Sequence, residues 1–177
     1  MKRKLIPVLA LLAFMSFFFS SCNKDNGPDN YLKIDDTDYT LSKGYCLSYG
    51  HSSEYVGYEM QVFMSSSEVN YNGSVTGYGD LLWFSFASSS EQGLPDGTYA
   101  FSNTHPLPNS SFLGTSHWTL GWNTSQAMSG LIDGGEVTIV GFGNNVYELT
   151  VNCTDNYDKN VTAHYKGTLI FVDKTGK

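Results

Sequence analysis

From Tyr31 to the C-terminus, apolar side chains recur at alternate positions, and no stretch keeps the 3.6-residue period of an amphipathic helix. Tyr58, Met60, Val62 and Met64 alternate with Glu59, Gln61 and Phe63. Leu82, Phe84 and Phe86 alternate with Leu81, Trp83 and Ser85, so both faces of that run are apolar and a central strand is expected. Trp118, Leu120 and Trp122 share one parity, and Val137 and Ile139 open another run. Tyr147, Leu149, Val151 and Cys153 make the most regular inward stripe, and Val161, Ala163, Tyr165, Leu169 and Phe171 make the last. Valine, threonine and aromatic residues fill these runs, as half-buried pleated surfaces prefer.

Turn residues separate the runs: Asn72-Gly73, Gly77 to Asp80, Pro95-Asp96-Gly97, Asp133-Gly134-Gly135 and Gly143-Asn144-Asn145. The last of these and the loop Asp155 to Asn160 read as hairpins, which makes Glu136 to Asp173 a three-stranded antiparallel meander. Ser102 to Ser116, with Pro106 and Pro108, is the longest irregular stretch and is denied a central strand. Eight or nine strands are expected in one domain over residues 31–177. The fold class is all-β, an antiparallel two-sheet β-sandwich, with a barrel as the second choice.

The first residues follow other rules. Lys2, Arg3 and Lys4 precede an apolar run from Leu5 to Met15, extended by Phe17 to Phe19, and small Ser20 and Ser21 follow. This is the pattern of a secretory signal peptide over residues 1–21. The run falls short of the roughly 20 apolar residues that cross a bilayer. Phe19-Ser20-Ser21-Cys22 resembles the bacterial lipobox, with phenylalanine where leucine is usual. That resemblance implies that Cys22 is lipidated and becomes the mature N-terminus, with acyl chains enough for stable anchoring in a membrane. Residues 22–30 are polar and cannot build a core, so they read as a flexible tether. Lys24 and Asp25 resemble the surface-export signal of Bacteroidetes lipoproteins. With Gly97-Thr98-Tyr99, Gly134 to Ile139 and Tyr165 to Leu169, the chain resembles the Bacteroidetes lipoproteins of unknown function that carry a small β-sandwich domain. The resemblance implies outer-membrane attachment with display at the cell surface, and it supplies no catalytic residues.

Without the signal segment, seven lysines face seventeen acids, a net charge near −10, and Arg3 is the only arginine of the chain. Nucleic acid is therefore excluded as a partner, and phosphorylated or sulfated ligands are disfavoured. Cys46 and Cys153 remain after Cys22, and an oxidising compartment permits them to pair or to stay as two buried thiols. His51, His105, His117 and His164 show no zinc-ligand spacing, and no Gly-X-Ser-X-Gly elbow is present. Asp155, Asn156, Asp158 and Asn160 offer oxygen ligands to calcium, but Lys159 sits among them and no EF-hand glycine or glutamate completes the loop. No cofactor is expected.

Aromatics are the clearest compositional excess, with 12 Tyr and 3 Trp in the chain. Trp83, among apolar neighbours, is read as core. On an uninterrupted strand Trp118 and Trp122 would share a face about 13 Å apart, a candidate sugar-stacking platform with His117 and Asn123 beside it. The expected function is a non-catalytic, outer-membrane-tethered binding or adhesion module, with glycan as the ligand. The alternative is a structural or accessory component of a cell-surface protein assembly. A hydrolase is the third reading and needs a cleft with convergent titratable groups.

Overall fold

A computed structural model describes residues 30–52, 56–104 and 106–176. The signal segment, Cys22, the tether up to residue 29 and His105 lie outside the described residues. The described chain forms thirteen strands. In order they are β1 (Tyr31–Ile34), β2 (Thr37–Thr40), β3 (Lys43–His51), β4 (Tyr58–Ser65), β5 (Asn70–Tyr71), β6 (Val75–Thr76) and β7 (Gly79–Ser88). There follow β8 (Gly97–Ser102), β9 (Ser111–Leu113), β10 (His117–Trp122), β11 (Met128–Gly143), β12 (Val146–Asp155) and β13 (Asn160–Asp173).

Eleven strands belong to one sheet, and β5 and β6 form a separate hairpin. The meander expected at the C-terminal end is present: β11, β12 and β13 pair antiparallel through the two anticipated hairpins. The sheet is mixed rather than wholly antiparallel, because β13 runs parallel to β3 and β8 runs parallel to β9. The first parallel ladder arises because β13 outlasts its partner. Its last residues, Leu169 to Asp173, extend past the start of β12 and are taken up by Gly44 to Ser48 of β3. The second lies inside the Pro-containing stretch, where a three-residue strand, β9, touches β7 at the single pair Phe86 and Phe112.

Followed from neighbour to neighbour, the ladders run β3, β4, β7, β10, β11, β12, β13 and return to β3. One face of this circuit is enclosed. It holds Cys46, Met60, Val62, Met64, Leu82, Phe84, Phe86, Tyr99, Phe112 and Trp118, with Val151, Ala163, Tyr165 and Leu169 from the meander. A second, smaller cluster lies on the opposite face of β3, β4 and β7. There Tyr45, Leu47, Phe63, Val69 and Leu81 are buried under the β5–β6 hairpin, with Tyr71, Val75, Trp83 and Trp122 packed against them. This explains why β7 is apolar on both faces: Leu82 and Phe84 point to one cluster, Leu81 and Trp83 to the other.

Candidate functional site

The register of four adjacent strands aligns one ring from each on the outer face. Tyr45 of β3 pairs with Phe63 of β4, Phe63 with Trp83 of β7, and Trp83 with His117 of β10. Neighbouring strands lie about 4.8 Å apart, close to stacking distance, so direct partners place their rings face to face. The centroid separations are 4.5, 5.0 and 5.9 Å, with planes inclined by 16, 11 and 13°. The result is a continuous stack across the sheet. At one end the β5–β6 hairpin folds over it, and Tyr71 leans on Tyr45 and Phe63 at 6.0 and 5.6 Å. Tyr45 and Phe63 are consequently buried, while Trp83 and His117 at the other end are only half covered.

Beyond His117 the surface dips into a groove of about 390 Å³, whose walls include His117, Thr119, Trp122, Leu131, Asn156 and Tyr157. Leu131 is the β11 partner of His117 and is 52% exposed, and Tyr157, from the hairpin between β12 and β13, is 65% exposed. The His117 ring is fixed by Nδ1–H donating to the Thr115 carbonyl, an acceptor only, at 3.1 Å. Asn156 is clamped to β11 by two bonds: its backbone N–H donates to the Leu131 carbonyl (2.9 Å) and the Leu131 N–H donates to Asn156 Oδ1 (2.8 Å). Its amide N–H groups remain as donors. The groove thus combines half-exposed ring faces with a few polar groups held in place, the composition of a small-molecule site.

The two-tryptophan platform is not formed, because Trp118 and Trp122 point to opposite faces. Thr119 pairs with Leu81 of β7, yet Trp122 pairs with Gly79: three residues along β10 are matched by two along β7. The extra residue is a bulge, which reverses side-chain parity beyond it. Gly121 carries it at φ +63° and Asn123 follows at φ +60°, conformations that favour glycine and asparagine. Trp122 therefore faces the groove. Trp118, 2% exposed, is in the enclosed core and donates Nε1–H to Asp155 Oδ2 at 2.9 Å. Asn123 turns away to donate to the Gly77 carbonyl (3.3 Å) and does not line the groove.

No family model, curated protein or solved structure matches the chain.

Two of the four calcium candidates, Asp155 and Asn156, have side-chain oxygens engaged within the fold. Asp155 is buried, and beyond the Trp118 bond its Oδ1 accepts the backbone N–H groups of Tyr157 and Lys159, both at 2.9 Å. Asn156 Oδ1 is engaged by Leu131, and the Asn160 backbone N–H bonds to Asp35. Asp158 sits at φ +60° as a turn residue. The oxygens of Asp155 and Asn156 thus organise the hairpin. Among the described residues, no three His, Cys, Asp or Glu side chains are grouped to hold a metal.

Cys46 and Cys153 are free thiols, both buried. Their places on the sheet keep them apart: Cys46 is level with Phe171 of β13 and Cys153 with Val161. Ten residues of strand span about 33 Å, whereas a disulfide needs Cα atoms within about 7 Å. Burial pushes each thiol up from 9.0 to about 12. His51 packs edge-on against Tyr58. His164 and Lys166 both reach Glu148, each at 2.9 Å, and these bonds hold its carboxyl below the usual range.

Trp83 belongs to the outer stack rather than the enclosed core. The residues that sequence periodicity passed over are Leu131, Asn156 and Tyr157. Two of them sit in a hairpin loop, and the pattern of alternation carries no information there. The bulge did leave a trace, Gly121 placed between Leu120 and Trp122.

Proposed function

We propose that this protein is a non-catalytic binding module, tethered by lipid on Cys22 to the outer membrane and displayed at the cell surface, which recognises glycans in the groove beside His117. The reading rests on one observation above the others. The exposed end of a rigid aromatic stack opens onto a groove where Trp122 and Tyr157 present ring area beside Thr119 and Asn156. Stacked rings bind sugar faces through dispersion and C–H contacts, and the fixed amide and hydroxyl groups supply direction. A mature chain without arginine and near −10 has no means of attracting anionic polymers, which favours neutral sugars. The closed circuit of ladders reads as a barrel, the second choice above, and supports a groove on its outside wall.

A glycan array probed with the full-length protein in mild detergent tests the reading, with calorimetry on any hit. Binding should persist from low to high salt, since no ion pair drives it. Trp122→Ala and Tyr157→Ala should each weaken it by about tenfold or more, on the order of 1.4 kcal/mol. Binding that survives both substitutions in a folded protein places the ligand elsewhere. The anchor is tested apart: Cys22→Ala should move the protein out of the membrane fraction, and retention equal to wild type under alkaline washing counts against it.

The assembly-component reading draws on exposed apolar side chains of β11, namely Met128, Val140 and Phe142. A partner protein that co-purifies at defined stoichiometry, with no glycan bound, would put that reading first.

A further inference from the structure

The described chain begins beside an exposed apolar corner. Asn30 is tied to β13 by two bonds: the Lys166 backbone N–H donates to Asn30 Oδ1 at 2.6 Å, and Asn30 Nδ2 donates to the Lys166 carbonyl at 3.3 Å. Lys166 is the β13 partner of Glu148, and Glu148 is the β12 partner of Val140. Asn30 and Val140 therefore stand at the two ends of one row across the meander, about 14 Å long at ordinary strand spacing. Just past Val140 the ladder is bulged between Gly141 and Gly143, which leaves Phe142 unpaired at the neck of the β11–β12 hairpin. Val140 and Phe142 are 39 and 54% exposed, and Ile170, on the outward side of β13, is 51% exposed. The Lys166 ammonium stands 4.5 Å from the centre of the Phe142 ring. It also bonds to Glu148, whose other oxygen meets His164, so the row brings no unpaired charge to this corner.

Two observations together identify what covers this corner. The first is its make-up: aliphatic and aromatic side chains with a lysine at their rim, a set that settles at the boundary between acyl chains and headgroups. The second is where the chain enters. Eight residues separate Asn30 from Cys22, a path of at most about 29 Å when fully extended. A compact domain of this length has a diameter of about 38 Å. A tether that short cannot reach round the domain. Lipid on Cys22 thus keeps the Asn30 side, and with it Val140 and Phe142, toward the bilayer. Leu131, in the wall of the groove beside His117, lies eleven residues back along β11, about 36 Å of strand. In that orientation the groove stands toward the far end of β11, away from the membrane.

We propose that, with the lipid anchor on Cys22 on which this reading rests, the Val140–Phe142 corner sits in the headgroup region of the same membrane. It is a second contact, one that fixes the domain's orientation and turns the groove outward. Full-length acylated protein in phosphatidylcholine vesicles, with and without bromine on the acyl chains, tests this. Bromine quenches tryptophan only at close range. Phe142→Trp should therefore lose most of its added fluorescence, relative to wild type, in the brominated vesicles. Met128→Trp, at the other end of β11, should lose none. Should Phe142→Trp not fold, Val140→Trp carries the same comparison. Adding Phe142→Asp to Val140→Trp should restore the signal, because a carboxylate is expelled from the apolar boundary. Equal quenching at both ends of β11, no quenching at either, or quenching that survives Phe142→Asp would each overturn the proposal. So would a co-purifying protein that shields Phe142→Trp from acrylamide without bromine quenching, which assigns the corner to the assembly reading. If neither position is quenched while Cys22→Ala still frees the protein from vesicles, the anchor stands and only the membrane contact fails. If the full-length protein does not join the vesicles, both fall. None of these outcomes depends on a glycan.

Discussion

Asp155 holds two parts of the molecule at once. One carboxylate oxygen takes the indole N–H of Trp118 inside the core, and the other takes two backbone N–H groups of the hairpin that carries Asn156 and Tyr157 to the groove. The same side chain that resembled a calcium ligand in the sequence thus links core to site. Asp155→Ala leaves three donors without their acceptor, one of them buried. A loss of about 3 kcal/mol is expected, since each orphaned donor costs on the order of 1–3 kcal/mol and they share one relaxation. Urea unfolding followed by tryptophan fluorescence measures it, and a midpoint close to wild type would mean that the loop does not depend on this carboxylate. Gly130, the β11 partner of Trp118, is needed for the same contact: a Cβ there would stand 2.5 Å from Asp155 Oδ2 and 2.7 Å from Trp118 Nε1.

Strand β10 shows how far periodicity can be trusted. Up to Leu120 the alternation is kept, and Trp118 and Leu120 share the inward face, whereas the sugar-stacking platform needed Trp118 at the surface. A single extra residue then exchanges the faces, and Trp122 goes outward. Nothing in a period-two pattern records a bulge except a residue able to take positive φ. Gly121→Val should therefore cost about 1–3 kcal/mol in backbone strain, with added crowding against Thr124 Oγ1, 2.9 Å from where a Cβ would sit. It should also alter quenching of Trp122 by acrylamide. Unchanged stability and unchanged quenching would show that the bulge does not set the direction of Trp122. The longer strands were legible because their inward stripes are long: β12 and β13 bury Leu149, Val151, Val161 and Ala163 in strict alternation. Strands of two or three residues, such as β5, β6 and β9, have no room for a period. The parallel ladder between β13 and β3 joins segments far apart in the chain, and no local pattern predicts it.

At the level of the whole molecule, the enclosed core gathers acids that ionise only at high pH. Burial raises Cys46 and Cys153 to about 12, and desolvation also raises Tyr99, Tyr147 and Tyr165. Each keeps its proton longer in the folded protein than in the unfolded chain. Their stabilising contribution is complete below the unfolded values, 9.0 for the thiols and 10.0 for the phenols, and is lost as pH rises through the folded ones. Stability should accordingly decline from about pH 9 upward, measured as urea midpoints against pH. Replacing both cysteines by alanine should lower the neutral-pH midpoint and flatten the early part of that decline. A decline equally steep in the double variant would remove the thiols as its cause.

The closed circuit of ladders also has a direction in time. β13 is the element on which β1, β3 and β12 all depend for a hydrogen-bonded edge, and it follows all of them in the chain. A nascent chain that has made everything up to residue 159 holds strands with no partner to complete the ring, and pairings this distant in sequence form slowly. Such a chain lacks the strand that closes its circuit until the final segment arrives.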